Sequence, residues 1–162
     1  MKELLDKISS YNIFNYLLPG VLFAAVADTV TSYRFQQADL VVGVFVYYFL
    51  GLVISRIGSL IIEPLLKKVT FVTFAPYGDF VAASQEDPKL EVLSEANNMY
   101  RTLCSLFVAI ALLKGYEFLA TRLAVPASLS GFLLIGALLV LFLFAYRKQT
   151  EYITKRVKAG KK

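Results

Sequence analysis

The chain has 162 residues, of which 57% are hydrophobic and 18% charged, and its mean hydropathy is +0.62. A soluble domain is usually about 45–50% apolar and about 25% charged, so this composition is typical of a membrane protein. The absence of His and the single Cys, Cys104, exclude a Ser-His-Asp site, an intrachain disulfide and a cysteine-based zinc site. No Gly-rich phosphate loop occurs, and we predict no enzyme activity, no catalytic residue, no metal and no cofactor.

Long runs without charge predict four transmembrane helices, because about 20 apolar residues are needed to cross a bilayer. The predicted spans are about 8–30, 40–62, 96–120 and 124–146. The third span is the least clear, since Thr102–Leu113 is uncharged but too short by itself. Its extension in either direction takes in charged residues, whose stems can reach toward the headgroups. The predicted fold is an all-α integral membrane protein with one four-helix transmembrane domain over 1–162.

The basic residues predict the orientation of the chain. With four spans, thirteen Lys and Arg residues lie on the side of both termini and three on the other side. The positive-inside rule then places both termini, an insertion over 63–101 and a basic tail over 147–162 in the cytoplasm. We interpret the tail first as a topology anchor. Recognition of anionic lipid or of nucleic acid is the alternative.

The insertion between the second and third spans has two parts. The β-branched and aromatic run Val69–Phe74 predicts either a short strand or an extension of the second helix, with burial of its Phe side chains at the membrane interface as the simplest interpretation. The breaker 75–79 follows this run. A helix is then expected from Pro88 into the third span, capped by Ser84 or Asp87 and projecting beyond the membrane.

Four acids in this second part form the only acidic cluster of the sequence, and they are candidate partner-docking residues: Glu86, Asp87, Glu91 and Glu95. We expect them to meet either the basic tail or a soluble partner. Surface ion pairs are individually weak, so the cluster indicates a docking surface and no more than that.

Polar side chains inside or at the ends of the spans are candidates for a pore, a vestibule or an intramembrane polar site: Asn12, Asn15, Asp28, Arg56 and Glu63. Arg56 lies about 9 Å of helix rise before the end of the second span. It is interpreted as a snorkelling anchor, as a partner of Glu63 on the same helix face two turns later, or as part of an aqueous vestibule. Asn residues in spans often bond neighbouring helices instead of lining a pore.

Small residues at four-residue spacing predict close helix packing: Gly20 and Ala24 in the first span, Gly51, Ser55 and Ser59 in the second, and Ala127 and Gly131 in the fourth. Such stripes serve packing within one chain as readily as oligomerisation. Pro19 and Gly20 predict a kink or a loosened turn in the first helix.

The stretch Tyr11-Asn12-Ile13-Phe14-Asn15-Tyr16-Leu17-Leu18-Pro19-Gly20 precedes an apolar run. With the four spans, the short insertion and the basic tail, it resembles small membrane effectors and subunits of bacterial anti-phage defence systems, such as those of Hailong and Kiwa. The resemblance implies a multi-pass protein of the bacterial inner membrane. It also implies either an oligomeric channel that depolarises an infected cell or a sensor that holds a cytoplasmic partner.

Two functions are therefore expected. The first is a homo-oligomeric channel or pore-forming effector, gated by a cytoplasmic partner or ligand, with the lipid bilayer and further copies of the chain as its partners. The second is a membrane sensor or scaffold that recruits a soluble protein or a nucleotide or nucleic-acid regulator. A holin-like lysis protein is a third possibility, given the small size and the basic C-terminus. An intramembrane enzyme is the least favoured, since the Arg-rich motif of the glutathione-dependent four-span enzymes does not occur.

Overall fold

The computed structural model describes residues 12–159, and over this range the chain forms five helices and no strand. They are α1 (Ile13–Val30), α2 (Leu40–Lys68), α3 (Tyr77–Glu86), α4 (Lys89–Arg122) and α5 (Ala127–Ala159). The predicted start of the first span at Ile8 and the end of the basic tail lie outside the described residues.

Helices α1, α2, α4 and α5 are each long and apolar enough to cross a membrane. The prediction of an all-helical chain with four such helices is confirmed. Three of the helices are longer than the predicted spans, because helical structure continues into charged segments at one end. Helix α4 is a single helix that begins directly after Pro88, as expected, and the Asp87 carboxylate accepts a hydrogen bond from the Lys89 N–H at 3.0 Å.

Helices α1 and α2 form an antiparallel hairpin with backbone-to-backbone contact. A methyl group built on Gly20 would overlap the Tyr47 carbonyl, and one built on Gly51 would overlap the Tyr16 carbonyl. Only glycine allows this approach, because any Cβ would occupy the space of the facing carbonyl oxygen. Ala24 is also buried on this side of α1.

Helix α4 completes a three-helix core. Phe23 and Ala27 of α1, Ile54 of α2, and Leu106 and Ile110 of α4 are buried in one apolar cluster. The three helices thus share one contiguous interior, which is the usual arrangement for a helix bundle.

Helix α5 packs much less closely than the other three. No residue in its most apolar 18-residue stretch is buried, although this stretch is the most hydrophobic of the four. Phe142 stacks on Phe49 of α2 at a ring distance of 6.0 Å, and Ala145 is buried further along the helix. The lateral surface of α5 therefore remains open to lipid or to another protein chain.

The segment after α2 differs from both predicted structures. Val69–Phe74 is neither a strand nor a helical extension, because α2 ends at Lys68 and Thr70 takes a left-handed conformation with φ 56°. The Phe71 N–H bonds back to the Leu66 carbonyl, which closes a Schellman-type end. Phe71 is exposed, and the Lys67 ammonium lies 4.1 Å from the Phe74 ring centre.

Residues 75–79, which were predicted to break helical structure, contain the start of helix α3 instead. Pro76 stands at the N-cap of α3, where its missing N–H costs nothing and its fixed φ suits a first turn. Val81 of α3 is buried, and the Tyr77 ring meets Tyr152 of α5 edge to face at 6.0 Å. Helix α3 thus rests on the polar end of α5.

Candidate functional site

At one end of the bundle a buried carboxylate lies close to three cations, one on its own helix and two on other helices. The Glu63 side chain is only 8% exposed, and its carboxylate lies 2.8 Å from the Lys67 ammonium and 2.6 Å from the Arg101 guanidinium. The Lys148 ammonium of α5 lies 4.0 Å from the same carboxylate. We call these four residues the Glu63 cluster. It joins α2, α4 and α5 at the point where their apolar stretches end.

A proline explains why Lys148 reaches the backbone of α2. Residues Gly58–Ile62 form a π-helical turn, in which the Glu63 N–H bonds to the Gly58 carbonyl five residues back. In that register the donor for the Ser59 carbonyl would be residue 64, which is Pro64 and has no N–H. The Lys148 ammonium donates to this Ser59 carbonyl at 2.6 Å instead.

A π-helical turn followed by a proline also occurs in α1. Its first five residues, Ile13–Leu17, are π-helical, and Pro19 follows two residues later. The loosening predicted around Pro19 and Gly20 thus takes the form of a widened turn just before the proline. Both widened turns lie at the end of the bundle that carries the Glu63 cluster, because α1 and α2 are antiparallel.

Arg56 lies deeper in the bundle than the cluster and bonds a different helix. Its guanidinium donates to the Tyr16 hydroxyl at 3.0 Å. Among the described residues Arg56 and Glu63 form no ion pair. The Arg56 Nε atom, the Arg101 Nε atom and the Asn15 Oδ1 atom are buried without a hydrogen-bond partner in the described structure. Such atoms are costly in an apolar environment, so this region carries unmet hydrogen-bonding capacity.

The remaining polar candidates of the first span separate along its length. Asn15 is 1% exposed inside the bundle, while Asn12 is half-buried before the first turn of α1. Asp28 lies at the opposite end, where its carboxylate accepts from the Phe35 N–H at 2.7 Å. Asp28 therefore organises the connection between α1 and α2, and the structure does not bring it near Arg56.

The predicted packing residues fall into two groups. Gly20, Ala24, Gly51, Ser55 and Ser59 are all buried between helices. On α5 the stripe is open: Ala127 is exposed, and a methyl group built on Gly131 would touch nothing within 4 Å.

The four acids before the third predicted span lie at or near the surface. Glu86, Asp87 and Glu91 are exposed and Glu95 is half-buried. Within residues 12–159 none of them forms an ion pair with the basic tail, whose contact with this region is the aromatic pair Tyr77 and Tyr152. Their role in binding a partner stays a prediction.

Sequence reasoning missed the polar face of α4. Thr102 and Ser105 are fully buried, Thr102 lies 3.5 Å from the Ser55 hydroxyl, and Ser105 lies against Gly58. Thr102 and Ser105 are three residues apart and so share one face of α4, and that signal was present in the sequence. No local sequence signal indicated that Lys148 contacts Glu63 and Ser59, because this contact depends on how α5 is placed against α2.

No known protein family, curated protein or solved structure matches this chain. Within the described range no three His, Cys, Asp or Glu side chains are close enough to hold a metal ion. The site can form ion pairs and hydrogen bonds. It has more cations than carboxylates, and beside them lie buried N–H groups without a hydrogen-bond partner in the described structure.

Proposed function

We propose that the protein is a homo-oligomeric membrane channel or pore-forming effector, which acts in bacterial anti-phage defence by depolarising the inner membrane. The observation that carries the proposal is the sparse packing of α5. Among the described helices α5 has the most apolar 18-residue stretch, and no residue of that stretch is buried against its own bundle, so this surface is free to contact further copies.

One chain does not supply an aqueous path by itself. The polar side chains of α1, α2 and α4 point into contacts with one another, as for Arg56 with Tyr16 and Thr102 with Ser55. A conducting path therefore requires several copies around a common axis, as in other closed oligomers. Both termini and the Glu63 cluster are assigned to the cytoplasmic side under this proposal, following the positive-inside rule.

The Glu63 cluster is suited to act as the gate of such an assembly. Lys148 is the polar tie between α5 and the buried carboxylate, and a bound partner or ligand that competes for Lys148 would loosen α5 at this end. Release of α5 changes the packing of the bundle without unfolding any helix, which is typical of switching by helix displacement.

The test is ionic conductance of the purified full-length protein in a planar bilayer, with host cytosol from infected and uninfected cells as the source of an activator. We expect discrete unitary currents that change in Arg56→Leu and stay unchanged in Arg122→Leu, an exposed arginine at the opposite end. Silence under all of these conditions would refute the channel. Currents with no protection of a bacterial host against phage would refute the defence role alone.

A sensor or scaffold is the second candidate, and the length of α4 favours it. A helix of 34 residues extends about 50 Å, whereas the hydrocarbon core is about 30 Å thick. The first turns of α4 then stand outside the membrane with the exposed acids beside them. We expect a bound soluble partner to be lost on reversal of Glu91 and Glu95 to Lys, and retained on reversal of Glu151. Equal binding by both variants would refute this surface.

A further inference from the structure

An open crevice of about 240 Å³ lies between α2 and α5, next to the Glu63 cluster. One end of its lining is apolar, with Leu60 of α2 and Phe144 of α5. The other end is charged, with Arg147 and Lys148 one turn further along α5. The change from apolar to basic lining occurs where the uncharged stretch of α5 ends, at Tyr146.

The charged end of this crevice has more cations than its carboxylates balance. Its lining contains two cations, Arg147 and Lys148, and one carboxylate, Glu151, which pairs with Arg147 at 3.2 Å on an exposed surface. Behind Lys148, the buried Glu63 already pairs with Lys67 and Arg101. The surplus favours an anion.

Donors are available to such an anion. The Arg147 Nε atom donates to Glu151, while its two terminal nitrogens make no hydrogen bond in the described structure. Lys148 donates one N–H to the Ser59 carbonyl and lies 4.0 Å from the Glu63 carboxylate, which leaves at least one of its three N–H groups for an anion. An Arg and a Lys side by side are the donors that proteins commonly use to bind phosphate.

We propose that this crevice binds the phosphate of an anionic phospholipid, with its headgroup at Arg147 and Lys148 and an acyl chain along Leu60 and Phe144. The apolar lining selects a lipid over a soluble phosphate, because a soluble anion would leave that lining exposed to water. Basic pockets between helices near the membrane surface are suited to such headgroups. Lys148 also belongs to the proposed gate, but lipid binding at this crevice does not require conduction and is measured separately from it.

The test measures retention of phosphatidylglycerol against phosphatidylcholine by the full-length protein, using native mass spectrometry and a lipid titration in detergent. We expect Arg147→Gln with Lys148→Gln to weaken phosphatidylglycerol binding by about tenfold or more, the equivalent of one charge-assisted hydrogen bond. The matched control, Arg156→Gln with Lys158→Gln, removes the same two charges from exposed positions further along α5 and should change binding less than about twofold.

Two further arms keep the test decisive. Leu60→Trp fills the apolar end and keeps every charge, so it should also lose the bound lipid. Arg147→Gln alone removes only an exposed ion pair and leaves the bundle intact. A loss of lipid binding in this variant is therefore not caused by misfolding. Equal losses in the main and control pairs would overturn the proposal in favour of diffuse attraction. Competition by inorganic phosphate or ATP, or retention by Leu60→Trp, would overturn the assignment to a lipid.

Discussion

Replacement of Glu63 by Gln should destabilise the bundle more than any other single change of charge. The substitution keeps the shape of the side chain but leaves Arg101, 17% exposed, and Lys148, 24% exposed, without the carboxylate that they share. Removal of one partner from a buried ion pair costs about 3–5 kcal/mol. We expect a loss of about 3 kcal/mol in the free energy of unfolding, near the lower limit, since Lys67 is 42% exposed and can turn to water.

Reversible unfolding of the purified protein by SDS, followed by far-UV circular dichroism, measures this loss. The matched control is Glu151→Gln, which breaks the ion pair with Arg147 where both side chains are largely exposed, and it should cost less than about 1 kcal/mol. Addition of Arg101→Gln to Glu63→Gln should recover part of the stability, because the buried cation is then gone. Equal losses for the Glu63 and Glu151 variants would show that the cluster does not hold the helices together.

Three further predictions concern the backbone, and all are measured by the same unfolding assay. Gly51→Ala should cost about 1–3 kcal/mol by forcing α1 and α2 apart, whereas Gly131→Ala on the open face of α5 should cost nothing; equal effects would contradict the close contact. Pro64→Ala restores a helical donor to the carbonyl that Lys148 binds, so it should reduce the cost of Lys148→Gln, and additive costs would refute this account. Ala124 has φ 50°, so Ala124→Gly should stabilise the chain by about 1 kcal/mol, and a loss would contradict the left-handed turn.

The four helices that are long and apolar enough to span a membrane could be predicted from the sequence, because apolar length is a local property. A run such as Leu40–Ser55 needs no information about the rest of the chain to be identified as a transmembrane helix. The helix that follows Pro88 was likewise marked by local capping residues. The end of α2 was not predictable in this way, since a left-handed Thr70 is an unusual conformation for a β-branched residue.

The Glu63 cluster could be predicted only in part. Glu63 and Lys67 are four residues apart on one helix, so their pairing follows from helical spacing. The contact of Arg101 and Lys148 with the same carboxylate depends on how α4 and α5 are rotated and tilted against α2. Pattern alone suggested Arg56 as a partner for Glu63, whereas the structure pairs Arg56 with Tyr16 in α1. Pro64 was the overlooked signal, since it leaves a carbonyl free for a cation.

The order of the cluster residues along the chain has a consequence for insertion during synthesis. Under the proposal that the four long helices span a membrane, Glu63 enters it with Lys67 one turn behind on the same helix, so its charge is balanced before any later helix arrives. Arg101 then supplies a second cation when α4 inserts, and Lys148 comes last on α5. Chains are made from the N-terminus, and transmembrane helices associate after insertion. We therefore expect α5 to join a three-helix unit in which the Glu63 charge is already neutralised. Docking of α5 then adds little electrostatic stabilisation, so α5 is the helix that detaches most easily.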